Sequence, residues 1–110
     1  MTDILIVRVN CGSQDEARAI ASAAIARRLA AAANIHPPID SLYHWEGRVE
    51  TTTEVPLELK TRASLFDVLA GMIAEMHSYR TPSILGFAAD AAAPAYSAWI
   101  AGETADPPGA

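Results

Sequence analysis

Among 110 residues there is one cysteine and there are three histidines, the side chains with the most nucleophilic and metal-binding capacity. Cys11 ends an apolar run just ahead of a helix start. There the positive helix end would depress a thiol pKa if the sulfur faced it; a small half-buried side chain is the plainer alternative. His77 closes a second helix, where an imidazolium is favoured by the negative helix end, or where the residue is a C-cap with no ligand. Cys11 with His77 is also the pair of a cysteine–histidine enzyme, but no third, orienting group is evident. His36 and His44 are isolated, without the close helical spacing of a metal motif, and read as surface residues. Glu50, Glu54 and Glu58 recur at steps of four, which puts them on one face of a strand. Such a row is either a solvated face or a set of oxygen donors for a divalent ion or ligand.

The stretch Tyr43-His44-Trp45-Glu46-Gly47 puts two large aromatic side chains on a hairpin. It is either packed within the chain or buried against another subunit. Catalytic signatures are otherwise missing: no Gly-x-Ser-x-Gly elbow, no glycine-rich phosphate loop and no Cys-x-x-Cys. A non-enzymatic protein is expected. Net charge is −5 with a pI of about 5.0, and the basic residues are scattered, which argues against nucleic acid as a partner. A single cysteine rules out an internal disulfide and fits a reducing compartment. Met1-Thr2-Asp3 offers no basic leader, and no apolar run reaches bilayer length. A cytoplasmic protein without a membrane partner is expected.

These residues need elements to hold them. Asp3–Asn10 reads as a strand. Ser13 is an N-cap, and Ala17, Ile20, Ala21, Ala24, Ile25 and Leu29 give the following helix an apolar face. Ala32–Ile35 is a short second strand before the loop at Pro37-Pro38. Ser41–Trp45 and Arg48–Lys60 form a long hairpin turned at Glu46-Gly47, with Pro56 at an edge or a bulge. Thr61 or Ser64 caps a helix whose apolar stripe is Leu65, Val68, Leu69, Met72, Ile73 and Met76. Ser83–Ala88 is a last strand and Pro94–Ala101 a short C-terminal helix. Residues 1–102 make one domain, and 103–110 a polar, proline-rich, disordered tail. The order β-α-β, hairpin, α-β is the ferredoxin-like split βαβ plan, an α+β sandwich on an antiparallel sheet. Helices cover one face of that sheet; a neighbouring copy is the simplest cover for the other.

From about Ile4 to Ile100 the chain resembles the CutA family, the divalent-cation-tolerance proteins. The resemblance rests on Asp15-Glu16-Ala17, Arg28-Leu29-Ala30-Ala31, Asn34-Ile35, the block Ser41–Glu50, Glu54-Val55, Leu59-Lys60-Thr61 and His77-Ser78-Tyr79-Arg80-Thr81-Pro82. Pro94 with Ala95-Tyr96 and Trp99 matches the closing helix. The resemblance implies a tight homotrimer of PII-like architecture with clefts between subunits, and a role in tolerance of divalent metals, copper above all. Trp45, Glu50, Glu54 and Trp99 are then the candidates for subunit contacts. Cys11 and His77 are the candidate metal ligands. Ser78 and Ser83 stand where the family has proline and glutamate, and Ala33 where it commonly has cysteine. Those departures remove an oxygen and a thiol donor, and two ligands rarely suffice for tight binding. The alternative is a PII-like regulatory module whose cleft, with Tyr43, Trp45, Lys60, His77 and Tyr79, takes a small anionic molecule or a partner protein.

Overall fold

Alternating β-branched residues carry the chain in as β1 (Ile4–Cys11), the inner strand of a sheet in the computed structural model, which describes residues 2–106. Ser13 caps α1 (Gln14–Ala26), its hydroxyl accepting the Glu16 N–H at 3.1 Å, with Asp15 and Glu16 in the first turn. Arg28 then adopts a left-handed φ of 56°. This lets the Leu29 N–H reach the Ala24 carbonyl at 2.9 Å and the Arg28 N–H reach that of Ile25 at 3.0 Å, an ending usually given to glycine. The alanine run is thereby released from the helix, and Ala32–Ile35 forms β2 as expected.

The hairpin is longer than its sequence pattern suggests: β3 spans Ile39–Trp45 and β4 Arg48–Arg62. Glu46 and Gly47 turn it with φ of 50° and 77°, both positive, as a two-residue hairpin turn demands. Strand order is β2-β4-β1-β5, where β5 is Leu85–Ala88, with β3 paired to the outer half of β4, and every pairing among the described residues is antiparallel. This is the expected ferredoxin-like arrangement. Pro56 lies inside β4, not at an edge: it is opposite Asn10 of β1. Its carbonyl accepts from the His36 N–H at 2.9 Å, so the missing donor faces the point where β2 gives way to Pro37-Pro38 and the ladder breaks anyway.

A 3₁₀ turn (Ala63–Leu65) leads into α2 (Phe66–Met76), which has no side-chain cap. The expected caps are used elsewhere. Thr61 is buried and donates to the Leu29 carbonyl at 2.7 Å, and Ser64 sits within the turn. Then come β5 (Leu85–Ala88) and α3 (Pro94–Glu103). Apolar faces of α1 and α2 close on one side of the sheet, with Ile20, Leu69 and Ile73 against Val7, Val9, Leu57 and Leu59. Met76, the last of the expected α2 stripe, and Ile25 of the expected α1 face are exposed. Among the described residues no helix is long and apolar enough to cross a membrane.

The opposite face is only partly covered. Cross-strand register puts Ile6 beside Lys60 and Phe87, and Arg8 beside Glu58 and Leu85, and Leu85 and Phe87 remain exposed. Near one end of the chain Ile100 of α3 is buried, and Arg62 Nε donates to Thr104 Oγ1 at 2.9 Å. Ala105 N–H reaches the Arg28 carbonyl at 2.8 Å. Residues 103–105 of the expected tail are thus tied to the domain; residues 107–110 lie outside the described residues.

Candidate functional site

The carboxyl end of β1, the first turn of α1 and the loop after α2 meet at one point. Cys11 comes from the first, Glu16 from the second and His77 from the third, and their ligand-type atoms all lie within 4.8 Å of one another. His77 is the C-cap of α2, where ψ of 142° turns the chain out of the helix. Its ring is fully buried. Nδ1 accepts the Tyr79 N–H at 3.0 Å, which leaves the hydrogen on Nε2, 2.9 Å from the Asn10 carbonyl oxygen that accepts it. The Tyr79 ring leans on the imidazole with centroids 4.6 Å apart. Glu16 bridges two segments, accepting from Gly12 N–H and from Ser78 N–H at 2.8 Å each.

The electrostatics follow from this geometry. Burial, with the Glu16 and Glu54 carboxylates adding to it, pushes the Cys11 thiol up to about 11. The helix start does not activate this sulfur, contrary to one expectation from sequence, because its side chain points into the core among apolar neighbours. Burial acts on Glu16 in the same direction, but the Gly12 N–H and the Ser78 hydroxyl and N–H hold its carboxyl below the usual range. A buried protonated thiol and an imidazole with both nitrogens engaged do not make a nucleophile and base. They do make one sulfur, one nitrogen and one oxygen donor in mutual reach, a mixed set that suits copper or zinc once protons leave.

Beside this cluster runs a groove of about 740 Å³, lined by Asn10, Tyr43, Trp45, Glu54, Tyr79 and Arg80 among others. Three of the five cleft candidates, Tyr43, Trp45 and Tyr79, therefore converge, while His77 belongs to the adjacent cluster. Lys60 does not line the groove; its ammonium bonds Asn34 Oδ1 and lies 3.8 Å from Glu58 Oε2, on the half-covered face. Arg80 is the groove's cation, 5.1 Å above the Trp45 ring and 3.1 Å from Glu46 Oε1. The three glutamates of β4 share a face but not a ligand. Glu58 lies 3.3 Å from Arg8 and 3.0 Å from His36, Glu50 lies 3.9 Å from Arg48, and Glu54 is buried beside Asn10. Of the subunit-contact candidates, Trp45 and Trp99 are exposed. His44 lines the groove's outer side. Glu16 was missed as a site residue, because as a first-turn acid its spacing carried only a helix-end signal.

A sandwich in this strand order, with a thiol, a carboxylate and an imidazole gathered at the end of β1, defines the class as a ferredoxin-like protein. The family model of the CutA1 divalent ion tolerance protein matches residues 5–103, and the chain belongs to that family. A "Divalent-cation tolerance protein CutA" of Archaeoglobus fulgidus is 34% identical over 94 residues, 86% of this chain and 91% of its own length. "Protein CutA" of Mus musculus is 33% identical over 92 residues, 84% of this chain and 52% of its own. The chain thus spans about half the length of that relative. Among solved structures, CutA1 from Oryza sativa superposes with a TM-score of 0.92 at 31% identity, covering 96% of each chain. The periplasmic divalent cation tolerance protein CutA from Archaeoglobus fulgidus gives 0.88 at 32%, covering 91% of this chain and 97% of its own.

Proposed function

We propose that this chain is a non-catalytic homotrimer that serves divalent ion tolerance by taking up copper at Cys11, Glu16 and His77. The observation that carries the reading is the convergence of three different donors, from three elements remote in sequence, within 4.8 Å. Bound copper would supply no reaction here; it would be held. The chain's own residues set the terms. To hold a metal through Nε2, His77 would give up the Asn10 carbonyl and carry its hydrogen on Nδ1, against the Tyr79 N–H; to hold one through Nδ1, it would give up that N–H. Binding through Nε2 would cost both hydrogen bonds of His77 and binding through Nδ1 would cost one, and the Cys11 proton must leave. Full burial of Cys11 and of the His77 ring also requires residues 77–83 to open first. Copper uptake should be slow and pH-dependent. The thiol donor must stay reduced to bind, which is why we place the protein in the cytoplasm.

Anaerobic titration with Cu²⁺ tests this. Affinity should rise about tenfold per pH unit between roughly pH 6.5 and 8.5, the signature of one displaced proton, and Cys11→Ser should flatten it. A pH-independent affinity, or equal binding by Cys11→Ser, would remove the assignment. The half-covered sheet face supports the trimer, and light scattering should return three times 11.6 kDa; a monomer mass at micromolar concentration would overturn it. A PII-like site for a small anion is less well supported, since Lys60 stands outside the groove and the groove's buried charge is the Glu54 carboxylate.

A further inference from the structure

Glu54 is the buried charged side chain of the groove, and among the described residues it has no counter-charge; Asp40, the groove's other acid, is exposed. Glu54 is 7% exposed. Among the described residues no lysine, arginine or histidine comes within ion-pair distance of it. Its protein contacts are the Asn10 amide at 3.4 Å and the Tyr79 hydroxyl. Because a carboxylate only accepts, Asn10 must turn its NH₂ toward Glu54, and its Oδ1 is left buried with no donor. Two negative ends therefore sit together at the groove floor, where low dielectric strengthens their field. Burying a carboxylate this way is unfavourable unless something positive answers it.

The walls answer the same question. Tyr43 and Trp45 of β3 and Tyr79 of the loop present aromatic rings to the groove, and ring faces attract cations. The groove already seats one: the Arg80 guanidinium lies 5.1 Å from the Trp45 ring centroid, with Glu46 as its partner. Among the described residues no second cation is placed to reach Glu54. Aromatic rings around an unanswered carboxylate are the chemistry that recognises an organic ammonium ion.

We propose that the groove between the β3–β4 hairpin and the 77–83 loop is a binding site for a small organic ammonium ion, held by Glu54 and by the rings of Tyr43 and Tyr79. The site is separate from the copper reading and does not rest on it. A metal ion is excluded from the test by working in EDTA.

The assembled protein is titrated with choline, with propylammonium, and with the neutral carbon isostere of choline, while the two tryptophan indole N–H signals are followed by NMR. Trp45 lines the groove, whereas Trp99 stacks on Tyr96 of α3 and serves as the internal reference. The expected result is saturable movement of the Trp45 signal alone, with at least one ammonium binding roughly tenfold or more tightly than the neutral isostere. Glu54→Gln and Tyr43→Ala should each weaken that binding roughly tenfold. Tyr43 is a partly exposed hairpin residue, so its variant keeps the test open should Glu54→Gln fail to fold. Arg80→Gln should tighten binding by vacating the Trp45 ring. Equal binding of choline and its neutral isostere, or no binding by either ammonium, overturns the proposal. Weaker binding in Arg80→Gln overturns it as well, because the groove would then select anions. Loss of the trimer in Glu54→Gln without ammonium binding to the parent also overturns it, since a basic side chain of a second copy would then be the counter-charge.

Discussion

Consider Cys11→Ala. The thiol is fully buried and its pKa is pushed from 9.0 to about 11, so the folded protein holds the proton about two pH units further than the unfolded chain does. At about 1.4 kcal/mol per unit this is roughly 3 kcal/mol of stability per chain. The sign follows from a raised folded pKa. This contribution is complete below pH 9, where thiols of both states are protonated, and it is lost as pH rises toward 11. Tyr79 is shifted in the same direction, by burial first and then by the Glu54 carboxylate, so wild type alone does not isolate the cysteine. The difference between wild type and Cys11→Ala does. Urea unfolding at fixed protomer concentration should show a small advantage for wild type at pH 8, about 1 kcal/mol from the lost sulfur packing. By about pH 10.5 wild type should have lost about 2 kcal/mol relative to the variant, which turns that advantage into a deficit of about 1 kcal/mol. Iodoacetamide should alkylate the native thiol at pH 8 at least about a hundredfold more slowly than the unfolded one. If both proteins lose stability in parallel up to pH 11, or the native thiol titrates at or below 9.0, the burial argument fails, and with it the one-proton copper profile.

Other perturbations probe the same architecture. Glu16→Gln turns one of two N–H acceptors into a donor facing Gly12 or Ser78. It should lower stability by roughly 2–3 kcal/mol and speed amide exchange at Ser78. Since the Glu16 carboxyl is held below its usual range, its contribution is present above the unfolded pKa of 4.5 and lost as pH falls through the folded one. The variant should therefore flatten the acid limb of an unfolding curve. Thr61→Val leaves the buried Leu29 carbonyl without the hydroxyl that reaches it at 2.7 Å, and a loss of about 1–3 kcal/mol in urea unfolding is expected. Gly86→Ala puts a methyl 3.0 Å from Leu5 Cδ2 and 3.2 Å from the Phe66 ring, so the melting temperature should fall, by an amount matching about 1–3 kcal/mol of overpacking.

Local chemistry made much of this protein readable. Ser13 ahead of Asp15-Glu16 starts a helix because a hydroxyl and two acids satisfy the same helix end. Glu46-Gly47 turns a hairpin because both residues accept positive φ. The apolar spacing of α1 and α2 named the helix side chains that enter the core, Ile20, Leu69 and Ile73 among them. The rule failed at Ile25 and Met76, which are exposed. Each of these signals is complete within one or two turns of chain.

What remained for the tertiary structure is whatever depends on two segments meeting. Thr61 and Ser64 looked like caps, yet Thr61 found a buried carbonyl 32 residues away. Lys60 took Asn34 and Glu58 as its partners within the chain, a grouping set by the pairing of β2 with β4. Cys11 looked poised at a helix start, and the strand's alternation turned its sulfur into the core, where burial raises the pKa that the helix would have lowered. Glu16 carried no site signal at all until the loop after α2 folded back to offer it the Ser78 N–H and to bring His77 alongside. Sequence sets the identity and local conformation of each donor. Distance, desolvation and the identity of a hydrogen-bond partner are properties of pairs, and they exist only once the sheet has brought residues 11, 16 and 77 to one place.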